Sequence, residues 1–265
     1  MQHYKVRQIF PWLYSIKEID VFCYLIIGNE KALLFDSCYG IYDLRGVVES
    51  ITDKPYSVIL GHGHLDHANG APWFDSALLH EADFGIYTEH TSVKYRKSII
   101  NKSRADGLGP PDDYDKEKYA NMKQSCLKPL DTKKSIDLGS LNIDIIEMPG
   151  HTGGSIGLLI REHNLLLTSD SACSNMWLFL NESLPLNSYI KMLERVVKLP
   201  FDAFVVAHFD DVVDKSVFFK YIKAAKNVDA SKSTCFAPFK KDIPVTGLLY
   251  EEDGVGIIYN PNKID

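Results

Sequence analysis

The sequence lacks an apolar run as long as the roughly 18 residues that a membrane-spanning helix requires, so we expect no membrane span. It also lacks an excess of basic residues, since 29 Lys plus Arg stand against 35 Asp plus Glu and give a net charge of −6. Nucleic-acid-binding proteins carry a basic stripe, so no nucleic-acid partner is expected. The first residues do not form a charged start followed by an apolar run, so a signal peptide is not expected either.

Cysteine is scarce, and its spacing is wide. The five cysteines include no C-x-x-C pair; they are Cys23, Cys38, Cys126, Cys173 and Cys235. An odd, scattered set argues against a disulfide framework and favours reduced thiols, so we expect a cytoplasmic protein. A chain of 265 residues with 45% hydrophobic content can bury a large core without disulfides.

Short apolar runs that end at turn residues alternate with segments of helical spacing. The predicted strands are 21–27, 31–35, 57–60, 141–148, 155–160, 165–168, 203–207, 247–250 and 255–259. The predicted helices are 41–50, 187–199 and 217–225, the second of them capped by Asn187 or Ser188. Such a mixture is typical of the α/β class, and we expect one domain over residues 1–265.

Residues 88–128 differ from the rest of the chain. The segment is polar, rich in Lys and Tyr, and broken at 107–111. We expect an insertion of short helices and loop with no strand. Two interpretations stay open, namely a solvated excursion and a lid over a site.

The segment from Gly61 to His67 is the most informative in the chain. Three of the nine histidines and one carboxylate lie within residues 62–67, directly after a predicted strand. His62 and His64 are two residues apart in extended chain, so both can face one cation. Asp66 and His67 fall where the chain turns, so they can face a second cation. The alternative is a set of polar residues on an exposed loop, but the clustering favours a metal site.

Two metal ions need more than four protein ligands. Further candidates follow other predicted strands. His151, Asp170 and His208 each come at or just beyond the end of an apolar run. Because parallel and mixed sheets gather such ends on one rim, these side chains are expected to meet the first cluster.

This pattern resembles the metallo-β-lactamase superfamily over about residues 21–213. The motif H-x-H-x-D-H at 62–67 carries the resemblance, together with the later His, Asp and His. The resemblance implies a four-layer αβ/βα sandwich, in which two mixed β-sheets pack face to face with helices outside. It implies one metal at His62, His64 and His151, a second at Asp66, His67 and His208, and Asp170 bridging both. Asp36 would support the histidine loop from behind.

The chemistry of these ligands agrees with the resemblance. Imidazole and carboxylate ligands suit two Zn²⁺ ions, although iron or manganese could use the same set. Cations about 3.5–4 Å apart could share one bridging water, whose pKa zinc lowers to about 7. The resulting hydroxide would hydrolyse a small ester, thioester or lactone. Asp66 would be catalytic, because it would orient this nucleophile and carry its proton to the leaving group.

Departures from related families narrow the choice. True β-lactamases of the superfamily commonly have Cys where Asp170 stands, so antibiotic hydrolysis is not expected. Flavodiiron reductases typically have Glu where His64 stands, which favours zinc here. The basic helical domain that glyoxalase II uses to hold glutathione is not recognised. Phosphodiesterase or nuclease activity, iron-dependent redox chemistry as in persulfide dioxygenases, and a purely structural site remain as alternatives.

The pocket is harder to predict than the metal site. The apolar segment 172–180 could be a hydrophobic strap, or Met176 and Trp177 could form a pocket wall, with Tyr39 near its mouth. The remaining histidines are expected in exposed or capping roles; they are His3, His80, His90 and His163.

Overall fold

The computed structural model describes residues 3–209, 211–237 and 246–265. Its first sheet has seven strands in the order in which they occur along the chain. These are β1 (Lys5–Phe10), β2 (Leu13–Glu18), β3 (Val21–Ile27), β4 (Ala32–Phe35), β5 (Tyr56–Ile59), β6 (Ser76–Leu79) and β7 (Cys126–Pro129). Strands β1 to β4 run antiparallel, and β4 to β7 run parallel.

The remaining described strands form two more sheets. The second sheet has the order β14-β13-β11-β10-β9-β8 and the third has the order β12-β17-β16-β15. Their bounds are β8 (Ile136–Asp137), β9 (Asn142–Glu147), β10 (Ile156–Ile160), β11 (Leu165–Leu167), β12 (Asn175–Leu178), β13 (Ala203–Val205), β14 (Val213–Asp214), β15 (Thr234–Phe236), β16 (Gly247–Glu252) and β17 (Val255–Tyr259). The mixed α/β class is confirmed, and the small third sheet adds to the two sheets that were expected.

Seven α-helices cover the sheets in the described residues. They are α1 (Leu44–Ile51), α2 (Leu65–Ala68), α3 (Phe84–His90), α4 (Val93–Ala105), α5 (Lys116–Ala120), α6 (Leu186–Val196) and α7 (Ser216–Lys226). No helix among these residues is both long enough and apolar enough to cross a membrane.

The sheets form a layered core because successive side chains along each strand point to opposite faces of the sheet, and both faces are apolar. In β3, Phe22, Tyr24 and Ile26 contact the second sheet, whereas Cys23 and Leu25 face the helices outside. The second sheet repeats this division at β10 and β11, with its outer face against α6 and α7. Strands buried on both faces read as continuous apolar runs, which is why the sequence pattern located them.

The helix α6 begins differently from the prediction. We expected Asn187 or Ser188 as the cap, but the helix starts at Leu186 with Pro185 in the capping position and no side-chain cap. Instead, the N–H groups of Leu186 and Asn187 donate to the carbonyls of Lys263 and Ile264. The C-terminal segment therefore satisfies the helix end that a side chain was expected to satisfy.

The segment 88–128 packs against the first sheet. Ile100 and Tyr119 are buried in its outer core, and the buried Arg96 donates to Asn69 and to the Met122 carbonyl. The expectation of no strand is wrong at its end, where β7 pairs with β6. This edge strand is mostly exposed, so it shows no apolar alternation in the sequence.

Candidate metal centre

The first motif lies where β5 gives way to α2. His62 follows the strand, and His64 immediately precedes the helix, which places Asp66 and His67 within it. The rings of His62 and His64 meet edge to face with centroids 4.7 Å apart. The chain changes from extended to helical between the two pairs, and the His67 ring still lies close to the first pair, 4.2 Å from the ring of His62.

His62, His64 and His151 form what we call the first half of the site. One nitrogen of each lies within 4.8 Å of the others, and all three residues are buried. Nε2 of His151 lies 2.9 Å from Nδ1 of His64, and Nδ1 of His151 donates to the Trp177 carbonyl at 2.8 Å. Because the carbonyl fixes the proton on Nδ1, the free Nε2 of His151 faces the site.

Asp66, His67 and His208 form the second half. Their ligand atoms also lie within 4.8 Å of one another. Nε2 of His67 is 3.8 Å from the Asp66 carboxylate, and Nε2 of His208 is 4.0 Å from it. Nδ1 of His208 donates to the Asp20 carbonyl at 2.9 Å, so its other nitrogen faces the site.

Asp170 lies between the two halves. Its Oδ2 is 3.2 Å from Nε2 of His67 and 3.7 Å from Nε2 of His151. Its Oδ1 is 3.3 Å from Nε2 of His208. One carboxylate therefore reaches ligands of both halves, so the structure brings all seven predicted ligands together.

Buried polar atoms without partners test whether this set fits a metal. Nε2 of His62, Nε2 of His67 and Oδ1 of Asp170 are buried and make no hydrogen bond within the described residues, and the last two have only the ion-pair contacts given above. Such atoms are rare in folded proteins, because each costs about 1–3 kcal/mol of desolvation. Imidazole nitrogens and carboxylate oxygens that converge in this way suit divalent cations. The residues thus fit a metal centre.

Two histidines of the first half, His62 and His151, favour the neutral state. Burial, helped by the charges of His67, His64 and His151, holds the pKa of His62 well below its ordinary value. Burial and the neighbouring His64 also lower the pKa of His151 to about 4. Neutral imidazoles are the form that binds metal, so these two need not lose a proton.

The second half has the opposite electrostatics. Burial acts to lower the pKa of His67, but the carboxylates of Asp170, Asp66 and Asp36 raise it well above its ordinary value. At His208 burial is likewise outweighed, and Asp170 and Asp66 raise the pKa to about 9. Burial acts to raise the pKa of Asp170, but His67 and His208 hold it well below its ordinary range. Without metal, the second half is therefore a cluster of paired charges.

Asp36 supports the second half from behind. Its carboxylate lies 3.1 Å from Nδ1 of His67 and accepts hydrogen bonds from the Gly61 N–H at 2.6 Å and the Ser169 hydroxyl at 2.7 Å. Asp36 and Ser169 have left-handed backbone conformations, with φ of 65° and 47°. A Cβ on Gly61 would lie 2.6 Å from that of Ser169, so only glycine fits there.

Asp83 is an equivalent support for the first half, and sequence reasoning missed it. This buried carboxylate accepts from the Gly63 N–H at 2.9 Å, the Gly154 N–H at 2.8 Å and the Thr152 hydroxyl at 2.7 Å. It thereby ties the loop of His62 and His64 to the loop that follows His151. A signal existed, because Asp83 follows β6, the parallel neighbour of β5.

His90 and Glu182 are two further residues that the sequence did not single out. The His90 ring stacks on His64 with centroids 4.9 Å apart, and its Nδ1 accepts the Leu65 N–H at 3.3 Å. The expectation of a merely exposed or capping role is therefore incomplete for His90. Glu182 lies 2.8 Å from Nε2 of His64.

The three residues considered for a pocket have different environments. Met176 is 1% exposed within the core of the second and third sheets, which favours the hydrophobic strap over a pocket wall at this residue. Tyr39 is buried as well, and its hydroxyl donates to Asp20 at 2.9 Å. Trp177 is half-buried against Phe179 and Phe236.

Comparisons with known proteins agree with this geometry. The family model described as "Metallo-beta-lactamase superfamily" matches residues 16–208. A crystal structure of a metallo-beta-lactamase from Erythrobacter litoralis superposes with a TM-score of 0.59 at 11% identity, covering 86% of this chain and 98% of that one. A metallo-beta-lactamase from Pontibacter korlensis gives a TM-score of 0.58 at 14% identity, covering 85% of this chain and 100% of that one. At these identities the likeness shows the fold.

Two curated relatives add information about activity. An acyl-coenzyme A thioesterase, MBLAC2 from Gallus gallus, is 22% identical over 162 residues, which are 56% of this chain. A hydroxyacylglutathione hydrolase, GloC from Haemophilus influenzae, is 26% identical over 152 residues, again 56% of this chain. The matches span 56% and 65% of the lengths of these relatives, respectively. Both relatives are hydrolases by name.

Proposed function

This chain belongs to the metallo-beta-lactamase superfamily, and on that premise we propose that it is a metal-dependent hydrolase of thioesters. The observation that carries the proposal is the convergence of seven ligand side chains around buried atoms that lack hydrogen-bond partners. The two relatives support thioesters as the substrate class, because an acyl-coenzyme A and a hydroxyacylglutathione are both thioesters.

The metal would be zinc, held in two positions. His62, His64 and His151 would hold one ion, and the second half would hold the other, with Asp170 between them. Zinc accepts this mixture of imidazole and carboxylate, and iron or manganese is the alternative for the same ligands. When bound, the two ions would supply an acidified water and a Lewis acid for the carbonyl.

Asp66 would serve as the proton carrier. Its side chain is 15% exposed, whereas that of His67 is fully buried, so Asp66 can reach solvent and substrate. A carboxylate in this position can orient the attacking water and accept its proton. The sulfur leaving group can depart as a thiolate without first being protonated, because thiols are fairly acidic, with a pKa of about 8.5. Thioesters therefore make smaller demands on Asp66 than amides would.

Two aromatic side chains near the ligands are suited to contact the acyl group. Trp177 is half-buried, and its carbonyl accepts from His151. Phe209 directly follows His208 and is 53% exposed. Ligand pockets are lined mainly by apolar and aromatic side chains, so we assign this role to Trp177 and Phe209.

A substrate panel tests the proposal. The zinc-loaded protein is assayed with an acyl-coenzyme A, a hydroxyacylglutathione, a lactone and a phosphodiester, and the chelated protein and Asp170→Asn serve as controls. We expect thiol release only from the thioesters and only from the metal-loaded wild type. A thiol reagent needs an enzyme blank, because Cys126 and Cys235 are exposed. Faster cleavage of the phosphodiester, or thioester hydrolysis that survives chelation, would refute the proposal.

A further inference from the structure

The segment 177–184, which starts within β12 and continues beyond it, contacts the first half of the metal centre. Besides the bond from His151 to the Trp177 carbonyl, the Ser183 hydroxyl donates to the His151 carbonyl at 2.9 Å. The N–H of Leu184 donates to the Gly150 carbonyl at 2.8 Å. These three hydrogen bonds, each accepted by a main-chain carbonyl, thus orient His151 and the chain around it.

Glu182 in the same segment contacts a second ligand. Its Oε1 lies 2.8 Å from Nε2 of His64, while Nδ1 of His64 lies 2.9 Å from Nε2 of His151. The two nitrogens of His64 therefore have separate partners, one in the site and one outside it. The side chains of His64 and Glu182 are 7% and 25% exposed, so water screens this bond only in part.

We propose that Glu182 is a positioning residue that keeps the proton of His64 on Nε2 and leaves the Nδ1 lone pair free for a cation. An ionised carboxylate only accepts hydrogen bonds, so Nε2 of His64 must be the donor. Such an outer partner fixes the tautomer and the ring orientation of a ligand and increases its basicity. This inference rests on the metal centre of the proposed function.

Two contacts hold the parts of this arrangement in place. The ammonium group of Lys263 donates to the Asn181 carbonyl at 2.6 Å and to the Ser183 carbonyl at 3.2 Å, on either side of Glu182. The His90 ring, in turn, stacks on the His64 ring at an interplanar angle of 16°. The main chain on either side of Glu182 and the ring of His64 are thus each restrained by residues outside the two halves.

His64, His90 and Glu182 are also close enough to hold a cation of their own. His64 would then have to bind two cations at once, one through each nitrogen. The separation of 2.8 Å between Glu182 and His64 is that of a hydrogen bond, which favours the positioning role.

The test compares Glu182→Ala and Glu182→Gln with Glu194→Ala, which removes an exposed glutamate paired with Lys226 on the outer helices. Competition with a chelator measures the two zinc-binding steps, and ¹⁵N chemical shifts report the His64 tautomer. We expect Glu182→Ala to weaken one step about 10–100-fold and to mix the His64 tautomers. Glu182→Gln, which keeps a neutral acceptor, should lose less, and Glu194→Ala should change neither measurement.

The outcomes separate this inference from the proposed function. If the wild type binds zinc and Glu182→Ala binds it equally well with the same tautomer, the positioning role is wrong. A third zinc ion per chain that disappears in Glu182→Ala would replace that role with a metal site. If the wild type binds no divalent cation, the proposed function itself fails. Unfolding of the metal-free variants checks that each has folded, and Glu182→Gln serves as the test if Glu182→Ala has not.

Discussion

The two halves of the metal centre have the same number of ligands but opposite charge environments. In the first half, burial keeps the pKa values of His62 and His151 low. In the second half, Asp66 and Asp170 outweigh burial and raise the pKa values of His67 and His208. His62 and His151 therefore offer ready ligands at neutral pH, whereas His67 and His208 of the second half must release protons to bind a cation. The carboxylates attract a cation by their negative charge. They also stabilise the protons on the neighbouring histidines, and these protons compete with the cation.

Removal of the residue that the halves share should have the largest effect. We expect Asp170→Ala to weaken both cation-binding steps more than 100-fold, because loss of a mere outer partner already costs about 10–100-fold. Metal content after dialysis and thioester turnover measure this loss. Asp106→Ala, at the exposed end of α4, is the matched control. Retention of wild-type affinity in either step would show that Asp170 does not join the halves.

The second-largest effect should come from Asp66, which belongs to the second half alone. We expect Asp66→Asn to reduce kcat on the order of 10²–10⁴-fold, the usual contribution of a proton-transfer group. The cation of the first half should stay, because Asp66 is not among its three histidine ligands. Turnover assays at saturating zinc, combined with metal analysis, test both statements. Unchanged turnover would remove Asp66 from the reaction.

Substitution of the two supporting carboxylates, Asp36 and Asp83, should lower the cation affinity of one half at a time. We expect Asp83→Ala to weaken the first half and Asp36→Ala the second, each about 10-fold or more. Each change also leaves buried donors unpaired, at a cost of about 1–3 kcal/mol per group in the free energy of unfolding. Chelator competition and urea unfolding measure these effects. Equal weakening of both steps in both variants would mean that the halves form one rigid unit.

The sharpest comparison, which needs no substitution, concerns pH. The pKa of His208 is raised to about 9, so below that pH a cation must displace its proton. As the pH is lowered, the cation affinity of the second half should fall about 10-fold per pH unit for each proton that must be displaced. The proton of His67 should add to this slope. His151, with a pKa of about 4, should add none to the first half near neutral pH. Calorimetry in buffers of different ionisation enthalpy counts the released protons. Identical slopes would contradict the comparison.

The sequence identified the seven residues that the structure brings together because each lies close to the end of a strand, and strand ends gather on one rim. It could not predict Glu182, since the direction of that side chain depends on contacts with Lys263, far along the chain. The edge strand β7 was missed because an exposed strand has no apolar pattern. Likewise, the start of α6 depends on carbonyls of the C-terminal segment that no local signal reveals. The local sequence pattern thus located the buried strands and the residues at their ends. It missed the features that depend on contacts with distant segments or that lack an apolar pattern.

The order of the seven-stranded sheet has a consequence for biosynthesis. Each of its strands pairs with the next along the chain, so this sheet can assemble progressively as the ribosome releases it. At that stage the histidine loop is already in place, but His151 and His208 have not yet been synthesised. Neither half can then bind a cation with its full set of ligands. We therefore expect metal insertion to follow translation, when the second sheet has closed over the first.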